Sequence, residues 1–399
     1  MKLTLAQQVL CSLIAENLFG KKSVLPDGVD WAEVYKESRL QAVTLLAFQN
    51  REPLPLGEEL EKRISDRLSR TLVANAANFK AHQHLHLLMQ ENNTPYCVLK
   101  GIASAHYYPS PLTRNMGDVD FYVSPEDAKS VCAVLEKDGF VMDRIEQVHH
   151  TVFRKTGMHY ELHREVAGVP DGKVGERVRE YLADLTESAV ETTDEFVKYR
   201  APSAFCHGLI LLLHMQHHLL SEGIGLRHLC DWAVFVNGFS EEEFTATFEE
   251  KLSAVGLWSF AKTVSLAASV TFGLPYRAWM GNNAELAEAV AEDIFLGGNF
   301  GRKAPERAYE GMMISNRGKD GVKGNRLRQG FGALNRIVRS HWPAAAKFPP
   351  LYPVGWVWFS LRYLVLAAFG KRRAFNPLDA YVRSGDRKKL YAALELFEP

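Results

Sequence analysis

Apolar residues recur at three- and four-residue spacing along most of this chain, and at two-residue spacing in a short stretch before its middle. Residues 4–19 and 30–48 carry the helical pattern, and 57–90 carry it as one long helix or two in series. Glu91-Asn92-Asn93-Thr94-Pro95 then breaks it with turn-forming residues. Tyr96-Cys97-Val98-Leu99 reads as a short buried strand, with Gly101 after it and a helical stretch over 102–108. Gly117-Asp118-Val119-Asp120-Phe121-Tyr122-Val123 alternates strictly and predicts a half-buried strand. Ser124-Pro125-Glu126-Asp127 opens a helix, with Ser as cap, Pro in the first position and acids in the first turn. That helix should run to about Asp138 and stop at Gly139, with Ala128, Val131 and Leu135 inward. Extended segments follow over 140–144 and 148–155, and 159–166 alternates again. Residues 168–175 read as a loop. Helical patterns return over 177–182, 202–220, 226–236, 241–255 and 258–272, and no repeat period is visible. The expected architecture is α+β, a small mixed β-sheet with helices on one side, flanked by helical N- and C-terminal regions. The expected units are 1–94 (helical), 95–167 (the sheet-bearing core), 168–300 (helical) and 301–399 (a basic loop and an apolar helix).

Alternation gives the middle stretch its chemistry. Residues two apart in a strand share a face. Asp118, Asp120 and Tyr122 therefore lie on one side, and Val119, Phe121 and Val123 on the other. Two carboxylates side by side repel unless a cation lies between them, and magnesium prefers such oxygen ligands while leaving positions for phosphate oxygens. In the later strand His159, Glu161, His163 and Glu165 share a face, so Glu161 is a candidate third metal ligand or general base. The bland alternatives are that Asp-x-Asp solvates a sheet edge and that Glu161 is a solvent-facing acid. A strand, Gly101 and a helix start would offer free N–H groups to a phosphate. Ser104 adds a hydroxyl there, and Lys100 and Arg114 add positive charge. An ordinary turn that needs glycine for its backbone angles would look the same.

Taken in order, Leu99-Lys100-Gly101, Tyr107-Tyr108-Pro109, Arg114, Gly117-Asp118-Val119-Asp120 and Glu161-Leu162-His163 resemble the uncharacterised nucleotidyltransferases of the polymerase-beta-like superfamily. Leu213-His214 with His218, and Gly225-Leu226-Arg227-His228 with Asp231, resemble that family's helical half. The resemblance covers roughly residues 1–370. It implies a nucleotidyltransferase core over 95–167, with Asp118, Asp120 and Glu161 as catalytic metal ligands for Mg2+, or Mn2+. It implies nucleotide contacts from Lys100, Gly101, Ser104, Arg114 and Gly117, and substrate contacts from His163, His214 and His218. The implied reaction moves a nucleoside monophosphate from an NTP, ATP first among them, to an acceptor hydroxyl of unknown identity, with release of pyrophosphate. The family usually has Gly or Ser after the turn glycine, and Ile102 stands here. That departure motivates an alternative, a non-catalytic nucleotide- or protein-binding module on the same fold.

Composition narrows the setting. At 399 residues the chain holds two to three units of ~100–200 residues. Its 47 basic and 47 acidic side chains give no global pull toward nucleic acid, so no specific nucleic-acid partner is expected. Five scattered cysteines without a Cys-x-x-Cys argue against a disulfide framework or cysteine zinc site. With polar residues interrupting the first apolar stretch, the N-terminus does not read as a signal peptide, and a cytoplasmic location is expected. His214 and His218 stand one turn apart, as zinc ligands can, but no metalloprotease pattern accompanies them. His82, His84 and His86 are two apart in a helical region and spread around it, which reads as no site. Residues 301–347 carry eleven Lys or Arg against three acids, which suits a mobile basic loop for a phosphate-rich substrate or anionic lipid, or a solvated connector. Residues 351–370 are the most apolar stretch, but Arg362 near their middle is costly in lipid. The expectation is a helix with its aromatics inward, packed on the protein or making peripheral membrane contact through 351–373, with a single-pass anchor as the alternative.

Overall fold

Local capping chemistry sets the first helices. In the computed structural model α1 (Leu5–Phe19) begins at Thr4, whose hydroxyl accepts from Gln7 N at 3.3 Å while the Gln7 side chain accepts from Thr4 N at 3.0 Å. It ends at Gly20 in the left-handed region. Asp30 caps α2 (Trp31–Leu40) through the N–H groups of Ala32 and Glu33. The expected helical stretch over 30–48 is two helices, because the chain turns at Ala42, φ 58°, before α3 (Thr44–Phe48). α4 (Glu58–Glu91) is a single helix of 34 residues. The structure describes residues 3–22, 24–49, 54–143, 150–195, 197–304, 348–368 and 389–398, together with residues 307, 335, 338, 342 and 387.

A mixed five-stranded sheet follows. Its strands are β1 (Cys97–Val98), β2 (Val119–Tyr122), β3 (Val141–Met142), β4 (His150–Lys155) and β5 (Met158–His163), in the spatial order β1-β2-β5-β4-β3. β2 and β5 run parallel in the register Val119↔Tyr160, Asp120↔Glu161, Tyr122↔His163, and the other pairs are antiparallel. Between β1 and β2 lies α5 (Ile102–Ala105), shorter than the stretch over 102–108 that the sequence suggests. α6 (Ala128–Lys137) starts after a turn at residues 125–127. Ser124 still serves it, its hydroxyl accepting from Asp127 N at 3.2 Å. The expected extended segments over 140–144 and 148–155 fall partly outside the described residues.

The alternation sorts the sheet faces. Val119, Phe121, Tyr160 and Leu162 are buried with Phe79 and Leu85 of α4 and with Val131 and Leu135 of α6. Burying each large apolar side chain contributes roughly 1.5–3 kcal/mol, which fixes the register and so the face the acids occupy. Tyr160 adds a hydrogen bond from its hydroxyl to Ala81 O at 2.7 Å. Two elements escape the sequence reading, and one starts early. The hairpin β6 (Val190–Asp194) and β7 (Val197–Ala201) inserts Val197 and Tyr199 into this same core. α7 (Gly172–Tyr181) begins inside the expected loop, and a helix over Ala284–Gly297 lies beyond the last predicted one.

The helical half comprises α8 (Ala204–Leu220), α9 (Leu226–Asn237), α10 (Glu241–Ala254), α11 (Trp258–Phe272) and α12 (Ala284–Gly297). One apolar cluster joins it to the N-terminal helices, running from Leu10 and Leu13 through Leu209, Trp232 and Phe244 to Phe260. Gly208 permits the tight crossing there, since a Cβ on it would stand 2.5 Å from the Phe248 ring. α13 (Tyr352–Ala368) packs Trp356 and Phe359 against Val338 and Tyr352. Its aromatics are not all inward, because Trp358 is exposed along with Val354, Val357 and Leu361. Among the described residues no helix is long and apolar enough to cross a membrane. Most of the basic stretch over 301–347, and residues 369–373, lie outside the described residues.

Candidate active site

Strand register brings the acids together. Asp120 and Glu161 are directly paired on parallel neighbours, and Asp118 precedes β2 on the same side. Asp120 is buried, and its Oδ1 lies 3.1 Å from Lys100 Nζ and 3.0 Å from His163 Nε2. Burial alone would raise its carboxyl, but the Lys100 ammonium and the His163 hydrogen bond outweigh this and hold it below the usual carboxylate range. His163 Nε2 also stands 3.7 Å from Glu161, whose other imidazole neighbour, His150, is at 3.6 Å. Burial opposes a charge on His163, yet its bonds to Asp120 and Glu161 raise it above its ordinary value. His159 Nδ1 hydrogen-bonds Asp118 Oδ1. Ligand atoms of Asp118, His159 and Glu161 lie within 4.8 Å of one another, and so do those of His150, Glu161 and His163.

This donor set suits a divalent cation. Asp118 and Glu161 converge with His159 while Asp120 stands outside both groups, and imidazoles hold each acid in place much as second-layer partners do around bound metals. Three acids against one ammonium leave negative charge that a divalent ion would neutralise. The imidazoles also keep manganese or zinc chemically open beside magnesium.

Asp118 and Asp120, but not Glu161, line a cavity of about 260 Å³ between the sheet and the helical half. Lys100, Gly101, Gly117, Asp118 and Asp120 line one side; His214, Arg227 and His228 line the other. Gly101 has φ 69° and ψ −111°, a backbone conformation closed to side-chain-bearing residues. A Cβ there would meet only ordinary contacts, 3.9 Å from His82 Nε2 and 4.0 Å from Asp118 O, so the backbone angle and not crowding selects glycine. Asn78 donates to Gly117 O at 2.7 Å and fixes the approach to β2.

Other expected site residues sit differently. Ser104 is buried, with its hydroxyl 3.4 Å from His207 Nε2, and is not among the cavity's lining residues. α5 has only four residues, so Ser104 faces the helical half and not the cleft. Arg114 lines the cavity but is bound twice by Asp231, at 2.8 and 2.7 Å, and Tyr108 donates to the same carboxylate at 2.7 Å. His163, expected as a substrate contact, is buried and holds Asp120 and Glu161. His214 lines the cavity, while His218 does not and meets the His214 ring edge to face, centroids 4.5 Å apart.

Sequence reasoning missed several neighbours. His82 lies fully buried beside Gly101, its Nδ1 donating to Asn78 O at 2.9 Å. Of the trio read as no site, one member therefore backs the turn. Phe300 and Arg302 reach the cavity from beyond α12, with no motif to mark them.

A family model described as an uncharacterised nucleotidyltransferase matches residues 27–273, which take in both sheets and the helices from α2 through α11. No curated protein matches the chain.

Proposed function

The chain belongs to the uncharacterised nucleotidyltransferase family, and from that premise we propose that it transfers a nucleoside monophosphate from an NTP, with ATP as the first candidate, to an acceptor hydroxyl. The observation that supports this reading is the Asp120↔Glu161 register on parallel neighbours, with Asp118 close to Glu161 and with Asp118 and Asp120 lining a cavity. Asp118, Asp120 and Glu161 would hold magnesium, or manganese. Bound there, the ions would neutralise charge at the α-phosphate and lower the pKa of the attacking hydroxyl.

The side chains divide the remaining work. His159 and His163 orient Asp118 and Asp120, so the acids meet their cation preorganised. Lys100 neutralises Asp120 in the free protein and is placed to turn to the departing phosphates once a cation takes over that carboxylate. The Gly101 turn lets backbone approach those phosphates closely. The acceptor oxygen forms a bond to the α-phosphorus as the bond to the bridging oxygen breaks. Its proton passes to Glu161, and pyrophosphate leaves. Positioning and charge neutralisation account for most of the acceleration.

Incubating the full chain with ATP, Mg2+ or Mn2+ and a panel of hydroxyl acceptors tests this. Pyrophosphate release and a nucleoside-monophosphate mass increment on one acceptor are expected. Asp118→Asn and Asp120→Asn each cost about 4 kcal/mol of transition-state stabilisation, roughly 10³-fold in rate, Asp118→Asn at an unchanged unfolding midpoint and Asp120→Asn at a lower one because Lys100 and His163 lose their carboxylate. Full metal-dependent turnover by Asp120→Asn would overturn the assignment. The buried Ser104 hydroxyl and Ile102 favour a second reading, a nucleotide-binding module without turnover. Calorimetric binding of Mg-ATP with no pyrophosphate released across the panel selects it.

A further inference from the structure

The wall facing the acids is built from α9 and residues 298–302, and the transfer chemistry leaves it unused. Its charges are unbalanced. Lys100 is paired with Asp120, and Arg114 with Asp231. Arg227 has no such partner among the described residues. Its guanidinium makes one hydrogen bond, to Asn115 O at 3.4 Å, and its buried Nε makes none. The nearby Asp231 is already filled by Arg114 and Tyr108. Burial and the neighbouring Arg114 push Arg227 down to about 10, as expected of a cation lacking its anion.

His228 supplies a second, independent signal. It is buried, at 3% exposure, and lines the cavity. Its Nδ1 accepts from Gly225 N at 3.3 Å, so the neutral ring carries its hydrogen on Nε2. That N–H has no acceptor. A buried donor without a partner costs about 1–3 kcal/mol, a cost a ligand oxygen removes.

Residues 298–302 hold these groups in place. The Phe300 ring lies 5.6 Å from Arg227 Cζ and 5.1 Å from the His228 ring. Gly225 lets the segment seat on the start of α9, since a Cβ there would stand 2.7 Å from Asn299. Arg302 is exposed at the cavity edge, with one hydrogen bond, to Arg39 O at 3.3 Å. The segment lies outside the matched residues 27–273.

We propose that Arg227, the His228 Nε2–H and Arg302 form an anion subsite that holds the phosphate group of a phosphate-bearing acceptor. Two cations without carboxylate partners match a phosphate monoester, which carries about −1.5 to −2 charge at pH 7, better than a single carboxylate. Assignment to the acceptor rests on the transfer reading. In-line displacement sets the acceptor opposite the leaving pyrophosphate; with pyrophosphate on the Lys100–Gly101 side, the acceptor falls to the α9 side.

Titration with inorganic phosphate in EDTA, followed by calorimetry, tests the subsite without any metal. The wild-type chain binds phosphate; Arg227→Gln weakens it by about tenfold or more, the loss of a charge-assisted contact. Arg302→Gln, at an exposed position that folding does not depend on, also weakens it. Mg-ATP binding is unchanged in Arg227→Gln. No phosphate binding by the wild type, or wild-type affinity in both arginine variants, overturns the subsite. Loss of Mg-ATP binding in a folded Arg227→Gln overturns its assignment to the acceptor. Phosphate binding without Mg-ATP binding by the wild type keeps the subsite and overturns the transfer reading instead.

Discussion

Replacing Asp231 by Ala is the sharpest test of how the two halves of the cleft are joined. Asp231 sits on α9, and Arg114 and Tyr108 come from the segment between β1 and β2. Arg114 donates from Nε at 2.8 Å and from Nη2 at 2.7 Å, and Tyr108 donates at 2.7 Å. All three side chains are buried. Asp231→Ala therefore strands a guanidinium and a hydroxyl in a low-dielectric interior. Breaking a buried pair from one side costs about 3–5 kcal/mol. The hydroxyl contributes up to a few more, and the two losses overlap. Arg227, close enough to feel both Arg114 and Asp231, adds repulsion once the acid is gone. A total near ~4 kcal/mol is expected. Unfolding entropy of ~2.1 cal/mol/K per residue over 399 residues gives roughly 0.8 kcal/mol/K, so the melting temperature should fall by about 5 °C. The double variant Arg114→Met/Asp231→Leu removes both charges and should recover most of that loss, because apolar replacements of buried pairs are often neutral. Scanning calorimetry of the wild type, Arg114→Met, Asp231→Leu and the double variant closes the cycle, with Asp231→Ala measured beside them. A fall under about 1 °C for Asp231→Ala, or a double variant no more stable than either single one, refutes the reasoning.

Two further outcomes follow from buried groups around the cleft. Gly101→Ala forces a Cβ onto φ 69°, ψ −111° and should cost about 1–3 kcal/mol while lowering nucleotide affinity; an urea midpoint equal to wild type contradicts the backbone argument. Burial lowers His82 to about 4 and His207 to about 3, against 6.5 in the unfolded chain. Between those values the unfolded chain binds protons that the native one refuses, so stability falls as pH drops below 6.5. The slope is about 1.4 kcal/mol per pH unit for each ring, roughly 4 kcal/mol for both at pH 5. Urea midpoints at pH 7.5 and 5.0 check this, and His207→Asn should flatten the slope; an unchanged or higher midpoint at pH 5.0 goes against it.

The local patterns carried much of the fold. Period-two alternation gave β2 and β5 with the correct faces, and the three- and four-residue spacing over 4–19 and 241–255 gave α1 and α10. The hairpin over 190–201 was hidden because Val190 and Glu191 face solvent and only Val197 and Tyr199 join the core, so its alternation is one-sided and polar. Ser104 shows a different limit. Its side of a four-residue helix is set by His207, which is 103 residues away. Arg114 and Asp231 meet across 117 residues, and neither spacing nor composition encodes that pairing. The acids were legible because one strand and its register arrange them. The opposing wall of His214, Arg227, His228 and Phe300 exists only once distant helices pack.

Anomalous diffraction from crystals soaked in Mn2+ with a non-hydrolysable NTP tests the acid cluster most directly. A manganese peak within about 2.0–2.3 Å of oxygens from Asp118 and Asp120, with Glu161 reaching the same ion or a neighbouring one, is the expected result, and Asp120→Asn should abolish it. Manganese bound away from these carboxylates, or undiminished in Asp120→Asn, would contradict the account.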